Sequence, residues 1–241
     1  MDKLSEGAAE LGLKLSPKQI EQFDRYYQLM MQWNERMNLT TITDYEVVQT
    51  KHFLDSLTVT LAIGARTPDT ETDFNVIDVG TGAGVPGVPL KIFFYRVKLT
   101  LLDSTAKKSG FLKHVVTELG LDDVEVIAGR AEDVAHQPEY REKFALVLSR
   151  AVAKLPTLAE LTLPLSQVGG MVVAYKKGDF RQEISDAAKA IDTLGGKLRE
   201  VKEIELEALP GERCLVIIDK VHPTPDIYPR RPGIPAKRPI S

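Results

Sequence analysis

Apolar positions along the chain follow two different periods. Between Pro17 and Leu61 they recur every three or four residues. From Phe74 onward, short β-branched runs alternate with stretches of helical spacing. The first pattern predicts helices. Ser16-Pro17 opens one of them, since serine suits the N-cap and proline the first helical position. Ile20, Phe23, Tyr27, Met30 and Met37 form its apolar stripe with Trp33 beside it, which reads as a core-facing side. Asn34 and Asn38 near its end are poor mid-helix residues. Thr43, with Glu46 three residues on, reads as the capping box of a second helix carrying Val47, Leu54, Leu57 and Leu61. His52 and Asp55 lie three apart on it and share a face. Such a pair is more often structural than catalytic. Residues 64–73 have no periodicity and read as a polar loop.

The second pattern predicts strands near 74–79, 97–102, 124–127, 144–148, 170–176, 197–206 and 213–219. Helices are expected over 107–119, 158–165 and 180–194. Alternating strand and helix units imply a Rossmann-like α/β fold, a mostly parallel sheet with helices on both faces. Two consecutive strands at the end, joined by Pro210-Gly211, require an antiparallel neighbour. Three segments are expected: an N-terminal helical extension (1–66), the sheet domain (67–220) and a basic, proline-rich C-terminal tail (221–241).

Composition narrows the class. An apolar content of 43% with 27% charged residues suits a globular chain able to bury a sizeable core. No apolar run approaches bilayer length, and the first residues lack a basic-then-apolar signal pattern. A cytoplasmic protein without membrane association is therefore expected. The single cysteine, Cys214, excludes an internal disulfide and a multi-cysteine zinc site, and no metal is expected. A net charge of −3 argues against binding nucleic acid over the whole surface. The tail is locally basic, with Arg230, Arg231, Lys237 and Arg238 against Asp226 alone. Its prolines argue against regular helix. It reads either as a solubilising terminus or as a phosphate-gripping arm in which Tyr228 can stack. Lys176 and Lys177 are either RNA contacts or an exposed basic pair.

Candidate chemistry concentrates in Asp78-Val79-Gly80-Thr81-Gly82-Ala83-Gly84. A buried strand there enters a turn that glycines make cheaply. Gly80, Gly82 and Gly84 are expected to bring backbone N–H groups close to a ligand, with the N-terminus of the next helix facing the same space. Gly82 to Gly87 also fits G-x-G-x-x-G, and Asp103 ends the next strand where a ribose-binding acid is expected. That pattern alone is weak. Asp78 favours S-adenosylmethionine over a dinucleotide, because an acid there attracts a cationic sulfonium amino acid and sits awkwardly near a pyrophosphate. The closing strand pair also suits a class I S-adenosylmethionine-dependent methyltransferase sheet, whose last strand runs antiparallel between its neighbours.

Specific motifs run through nearly the whole chain in order: Trp33-Asn34, Asn38-Leu39-Thr40, His52 with Asp55-Ser56-Leu57, the stretch from Ile77 to Leu90, Leu101-Leu102-Asp103-Ser104 with Lys107-Lys108, Arg130-Ala131-Glu132, Ser149-Arg150-Ala151, and the Tyr-Pro-Arg-Arg-Pro-Gly tail. With them the sequence resembles the RsmG (GidB) family of small-subunit ribosomal RNA methyltransferases. Thr105 and Val85 depart mildly from the family pattern. The resemblance implies methyl transfer from S-adenosylmethionine to N7 of one guanine in 16S ribosomal RNA, with the small subunit as partner and a monomer favoured. It carries cofactor-binding roles onto Gly80, Val85, Ala131, Glu132 and Arg150. Asp78, Gly82 and Asp103 join them from the residues themselves. Ala131-Glu132 is placed to read an adenine edge, and Arg150 to hold a carboxylate or phosphate. No catalytic acid or base is expected, because guanine N7 carries no proton. The competing readings are an NAD-dependent oxidoreductase and a non-catalytic RNA-binding factor.

Overall fold

The computed structural model describes residues 1–64, 74–178 and 180–240. Among the described residues, seven strands form one sheet: β1 (Asn75–Val79), β2 (Lys98–Asp103), β3 (Val124–Ala128), β4 (Phe144–Arg150), β5 (Ser166–Lys177), β6 (Gly196–Glu203) and β7 (Arg213–Lys220). Their order is β3-β2-β1-β4-β5-β7-β6. The pairings from β3 through β5 are parallel, and β7 runs antiparallel between β5 and β6. This is the expected mostly parallel sheet with an antiparallel last strand. The chain leaves β1 toward β2 on one side and enters β4 on the other. Such a switch point is where open α/β sheets bind ligands, beyond the carboxyl ends of the strands.

Helices α1 (Asp2–Glu10), α2 (Pro17–Met37), α3 (Tyr45–Val48), α4 (Asp55–Leu57) and α5 (Thr60–Ile63) precede the sheet. The connections carry α6 (Gly87–Phe93), α7 (Ala106–Glu118), α8 (Ala131–Val134), α9 (Leu155–Thr162) and α10 (Arg181–Thr193). A last turn, α11 (Ile234–Lys237), lies in the tail with Pro235 in its first turn, where the missing N–H is harmless. The tail therefore does contain helix, contrary to the expectation from its prolines.

Each face of the sheet has its own apolar layer. One joins Phe23, Tyr26, Leu29 and Met30 of α2 to Val76, Leu99, Leu101 and Leu148. The other joins Leu158, Ala159, Ala187 and Ile191 of α9 and α10 to Ile77, Val79, Val147 and Val172. Burying the four α2 side chains is worth about 1.5–3 kcal/mol each, so packing rather than helix propensity holds α2 in place.

Local departures from the sequence reading have physical reasons. Ser16 caps α2 as expected, in a full capping box with Gln19. The fully buried tyrosine of α2 is Tyr26, not Tyr27. Tyr27 is half-buried, and its hydroxyl donates to the Thr43 carbonyl. Both positions satisfy a three-or-four spacing from Phe23, so periodicity could not separate them. Asn38 is the left-handed C-cap of α2, a conformation asparagine tolerates. The expected capping box at Thr43 is replaced by a cap at Asp44, whose Oδ1 accepts from Val47 N–H at 2.9 Å. The single second helix is instead broken into α3, a π-helical stretch (Gln49–Leu54), α4 and α5. Helix α9 starts at Leu155, with proline in its first turn, and β5 starts at Ser166. Pro164 thus falls in the link between them rather than in the helix. Apart from Gly64, the polar 64–73 loop and the boundary expected within it lie outside the described residues. No helix among the described residues is long and apolar enough to cross a membrane.

Candidate active site

Asp78 lies in β1, fully buried beneath the glycine turn. Its Oδ2 accepts from the Thr81 hydroxyl at 2.6 Å and from Gly87 N–H, the first residue of α6, at 2.8 Å. Asp103 grips the turn from β2: Oδ2 accepts from Gly82 N–H at 2.9 Å and Oδ1 from Thr105 N–H at 2.8 Å. Gly80 N–H donates to the Leu102 carbonyl, and Gly84 N–H to the Thr81 carbonyl. These bonds correct the sequence reading. The N–H groups of Gly80, Gly82 and Gly84 point into the protein, and the end of α6 is capped from below by Asp78. The turn leaves bare backbone open at Gly82, while the Val152 side chain lies against Gly80 and Tyr26, Val88 and Leu112 crowd Gly84, and it offers no array of donors for phosphate. The start of α6 faces the protein's own carboxylate, which disfavours a dinucleotide's pyrophosphate.

Three predicted residues line one cavity of about 230 Å³: Gly80, Ala131 and Glu132, together with Ser104, Val152 and Thr157. Gly82 has φ +61°, and a Cβ there would meet nothing closer than Gly80 O at 3.9 Å, so open space lies over it. Beneath the turn, Asp78 Oδ1 is buried without a hydrogen-bond partner. Burial, chiefly, pushes the Asp78 carboxyl up to about 6, opposed by its bonds from Thr81 and Gly87. An orphaned acceptor below bare backbone fits a ligand whose reactive part is cationic, such as S-adenosylmethionine. Val85 is half-buried against the apolar layer under α2 and does not line this cavity. Asp78, Gly82 and Asp103 build the turn without lining the cavity themselves.

Arg150, at the end of β4, belongs to a neighbouring cavity of about 470 Å³. Lys154, Lys176, Lys177 and Arg213 also line it, with Asp55 and Glu183 as the acids. Val152 and Ala153 line both cavities, so the loop after β4 is a shared wall. Ala151 in that loop is held at φ +57°, a left-handed conformation that a non-glycine residue adopts at a cost of about 1–2 kcal/mol.

His52 and Asp55 both meet Arg150. Asp55 is buried and accepts from Arg150 Nη1 at 2.8 Å and Arg213 Nη1 at 3.0 Å, while Lys177 Nζ stands 3.9 Å away. Arg150 Nη2 lies 2.9 Å from His52 Nδ1, and His52 Nε2 lies 2.9 Å from the Thr40 hydroxyl. A guanidinium only donates, so Nδ1 accepts and Nε2 carries the proton. Burial first, then Arg150, lowers the His52 pKa to about 4, which keeps the imidazole neutral. Thr40 N–H in turn donates to Asn34 Oδ1 at 2.9 Å. Asn34, Thr40 and His52 thus form a chain of hydrogen bonds from the end of α2 to Arg150. His52 is carried by the π-helical stretch, a form frequent at functional sites. Lys176 is tied to the Ala153 carbonyl and Glu183, whereas the Lys177 side chain is half exposed.

Comparison with known proteins bears on the family and the fold. A family model described as GidB, rRNA small subunit methyltransferase G, matches residues 19–213. The chain belongs to this family. It is 49% identical over 240 residues to the ribosomal RNA small subunit methyltransferase G of Dehalococcoides mccartyi (strain CBDB1), covering 100% of both chains. It is 46% identical to the protein of that name from Brevibacillus brevis, over 99% of this chain and 98% of the relative. The fold is shared with a SAM-dependent methyltransferase from Aquifex aeolicus, at TM-score 0.55 and 17% identity, covering 76% of this chain and 97% of that one. It is also shared with the fibrillarin pre-rRNA processing protein of Methanococcus jannaschii, at TM-score 0.52 and 13% identity, covering 69% and 75%.

In this GidB-family chain, sequence reasoning missed Tyr26, Val152 and Arg213. The buried Tyr26 hydroxyl donates to the Ala83 carbonyl at 2.5 Å and steadies the glycine turn from α2. Arg213 meets Asp55 across 158 positions of sequence, which no local pattern reveals. The motif Ser149-Arg150-Ala151 was the nearest signal to Val152.

Proposed function

We propose that this chain transfers a methyl group from S-adenosylmethionine to N7 of a guanine in the 16S ribosomal RNA of the small subunit, acting as a cytoplasmic monomer. The observation that carries the reading is the pair of cavities sharing the Val152-Ala153 wall at the carboxyl edge of the sheet. One, over the glycine turn, suits the methyl donor. The other, basic, suits a nucleotide with its phosphates.

When bound, S-adenosylmethionine supplies an electrophilic methyl group on a positively charged sulfur. Guanine N7 has a free lone pair and no proton, so the chain need not remove one. Both nitrogens of His52 are engaged, by Arg150 and Thr40, which leaves it a positioning residue rather than a base. The residues contribute alignment, the orientation effect that enzymes use in place of acid–base work. Asp55 serves a second purpose. Methylation at N7 leaves the base cationic, and an unbalanced arginine nearby would oppose it. Asp55, shared with Arg213, offsets part of the charge of Arg150 at 2.8 Å while leaving it oriented.

The test offers small subunits that lack the modification, together with labelled methyl donor, and maps the labelled base. Label on N7 of a single 16S guanine is expected. Label elsewhere, or no transfer, overturns the reading.

A further inference from the structure

The C-terminal tail is folded structure, anchored along its length. Lys220 of β7 is buried and donates to the Leu163 and Leu194 carbonyls. Thr224 N–H donates to Glu142 at 2.7 Å, and Arg141 donates to the Thr224 and Tyr228 carbonyls at 2.9 Å each. His136 Nε2 reaches the Pro229 carbonyl at 2.7 Å. Arg230, first of the cations expected to grip phosphate, is instead bound to Glu160, which is fully buried. Glu160 Oε1 accepts from Arg230 N–H at 2.7 Å and from Nε at 2.9 Å, and Oε2 accepts from Nη2 at 2.6 Å. A buried carboxylate met by three donors of one arginine is a fixed anchor.

This anchor delivers the next residues to the cavity over the glycine turn. Gly233, Pro235 and Ala236 line it together with Gly80 and Ala131. Two bonds close the seam. Gly233 N–H donates to Glu132 Oε1 at 3.0 Å, and the Thr157 hydroxyl donates to the Pro235 carbonyl at 3.1 Å. The first bond fixes a carboxylate that itself lines the cavity.

We propose that Gly233, Pro235 and Ala236 of the tail form a wall of the cofactor site and set how tightly S-adenosylmethionine is held. The inference rests on reading that cavity as the methyl-donor site. The wall is built from glycine, proline and alanine, so it presents a low-relief surface to whatever lies against Ala131 and Glu132. The tail is thus part of the donor site, and only its outward cations, Arg231, Lys237 and Arg238, are free to meet RNA.

Ala236 is exposed as well as lining the cavity, so Ala236→Trp adds bulk at the cavity edge without disturbing the core. Calorimetric titration of S-adenosylmethionine into the full-length protein and this variant tests the wall. The variant should bind roughly tenfold more weakly or worse, the loss of about one good contact. Binding within twofold of the unmodified protein overturns the inference and leaves the functional reading standing. If the unmodified protein binds no S-adenosylmethionine, the functional reading itself falls, and the inference with it. Should Ala236→Trp fail to fold, hydrogen exchange in the unmodified protein decides. Ligand-induced protection of the amides at 233, 234, 236 and 237 supports the wall, and unchanged exchange overturns it.

Discussion

Two glycines of the same turn should respond differently to the same substitution. Gly84 has φ +95°, and a Cβ there would stand 2.7 Å from the Tyr26 hydroxyl, 2.8 Å from Val88 Cγ2 and 3.0 Å from Leu112 Cδ2. All three neighbours are buried, and Tyr26 is tied to the Ala83 carbonyl, so none can give way cheaply. Gly82 has φ +61° and open space above it. The left-handed backbone costs an alanine about 1–2 kcal/mol at either position. Overpacking adds about 1–3 kcal/mol at Gly84 alone. Gly84→Ala should therefore lose about 2–5 kcal/mol and Gly82→Ala about 1–2 kcal/mol. For a domain of this size that lowers the melting temperature by about 4–20 °C and about 2–8 °C respectively. Thermal melts followed by circular dichroism measure both. Titration with S-adenosylmethionine supplies the second axis, because Gly82→Ala keeps its fold but projects a methyl group into the space over the turn. Melting temperatures that fall equally in the two variants would refute the packing account.

Asp55→Asn leaves the buried Arg213 guanidinium without its counter-charge and should cost about 3–5 kcal/mol in chemical denaturation, with methyl transfer reduced as Arg150 loosens; an unchanged midpoint would contradict this. His52 and Asp78 should give opposite pH signatures. His52 is held down to about 4, so the stability it contributes is present above about 6.5 and is lost as pH falls toward 4; wild type should lose ground against His52→Asn across that window. Asp78 is held up to about 6 from 3.8, so the native state takes its proton first, and wild type should gain on Asp78→Asn by up to about 3 kcal/mol between pH 6 and pH 4. Denaturation series at several pH values check both, and a pH-independent difference for either variant would count against its assigned environment. Replacing exposed Arg231, Lys237 and Arg238 with serine should lower the salt slope of RNA binding by up to about 2, at about 0.7 per contact with single-stranded phosphate. A slope that stays the same would remove the tail from RNA contact.

Much of the fold was legible because it rests on local rules. Val76, Ile77 and Val79 could only be a strand buried on both faces, and the alternation of strands with helices dictates a parallel sheet. Ser16-Pro17 announces its helix through a capping interaction that closes within four residues. The glycine turn and its acids, Asp78 and Asp103, were also visible, since a tight turn beside a strand end has few alternative compositions. The direction in which those groups point was not visible. Whether a glycine N–H faces a ligand or the protein depends on which carbonyl of β2 lies beneath it, and strand pairing decides that.

Sequence by itself determined the element types, the location of the turn and the resemblance that runs through the whole chain. Tertiary structure alone decided the company each charge keeps. Asp55 gathers Arg150 and Arg213, from 95 and 158 positions away, and Glu160 claims Arg230 from 70 positions away. A basic tail that reads locally as a free arm becomes part of a cavity wall. The physical reason is that a buried carboxylate needs its partner, and only the folded chain determines which distant cation can reach it.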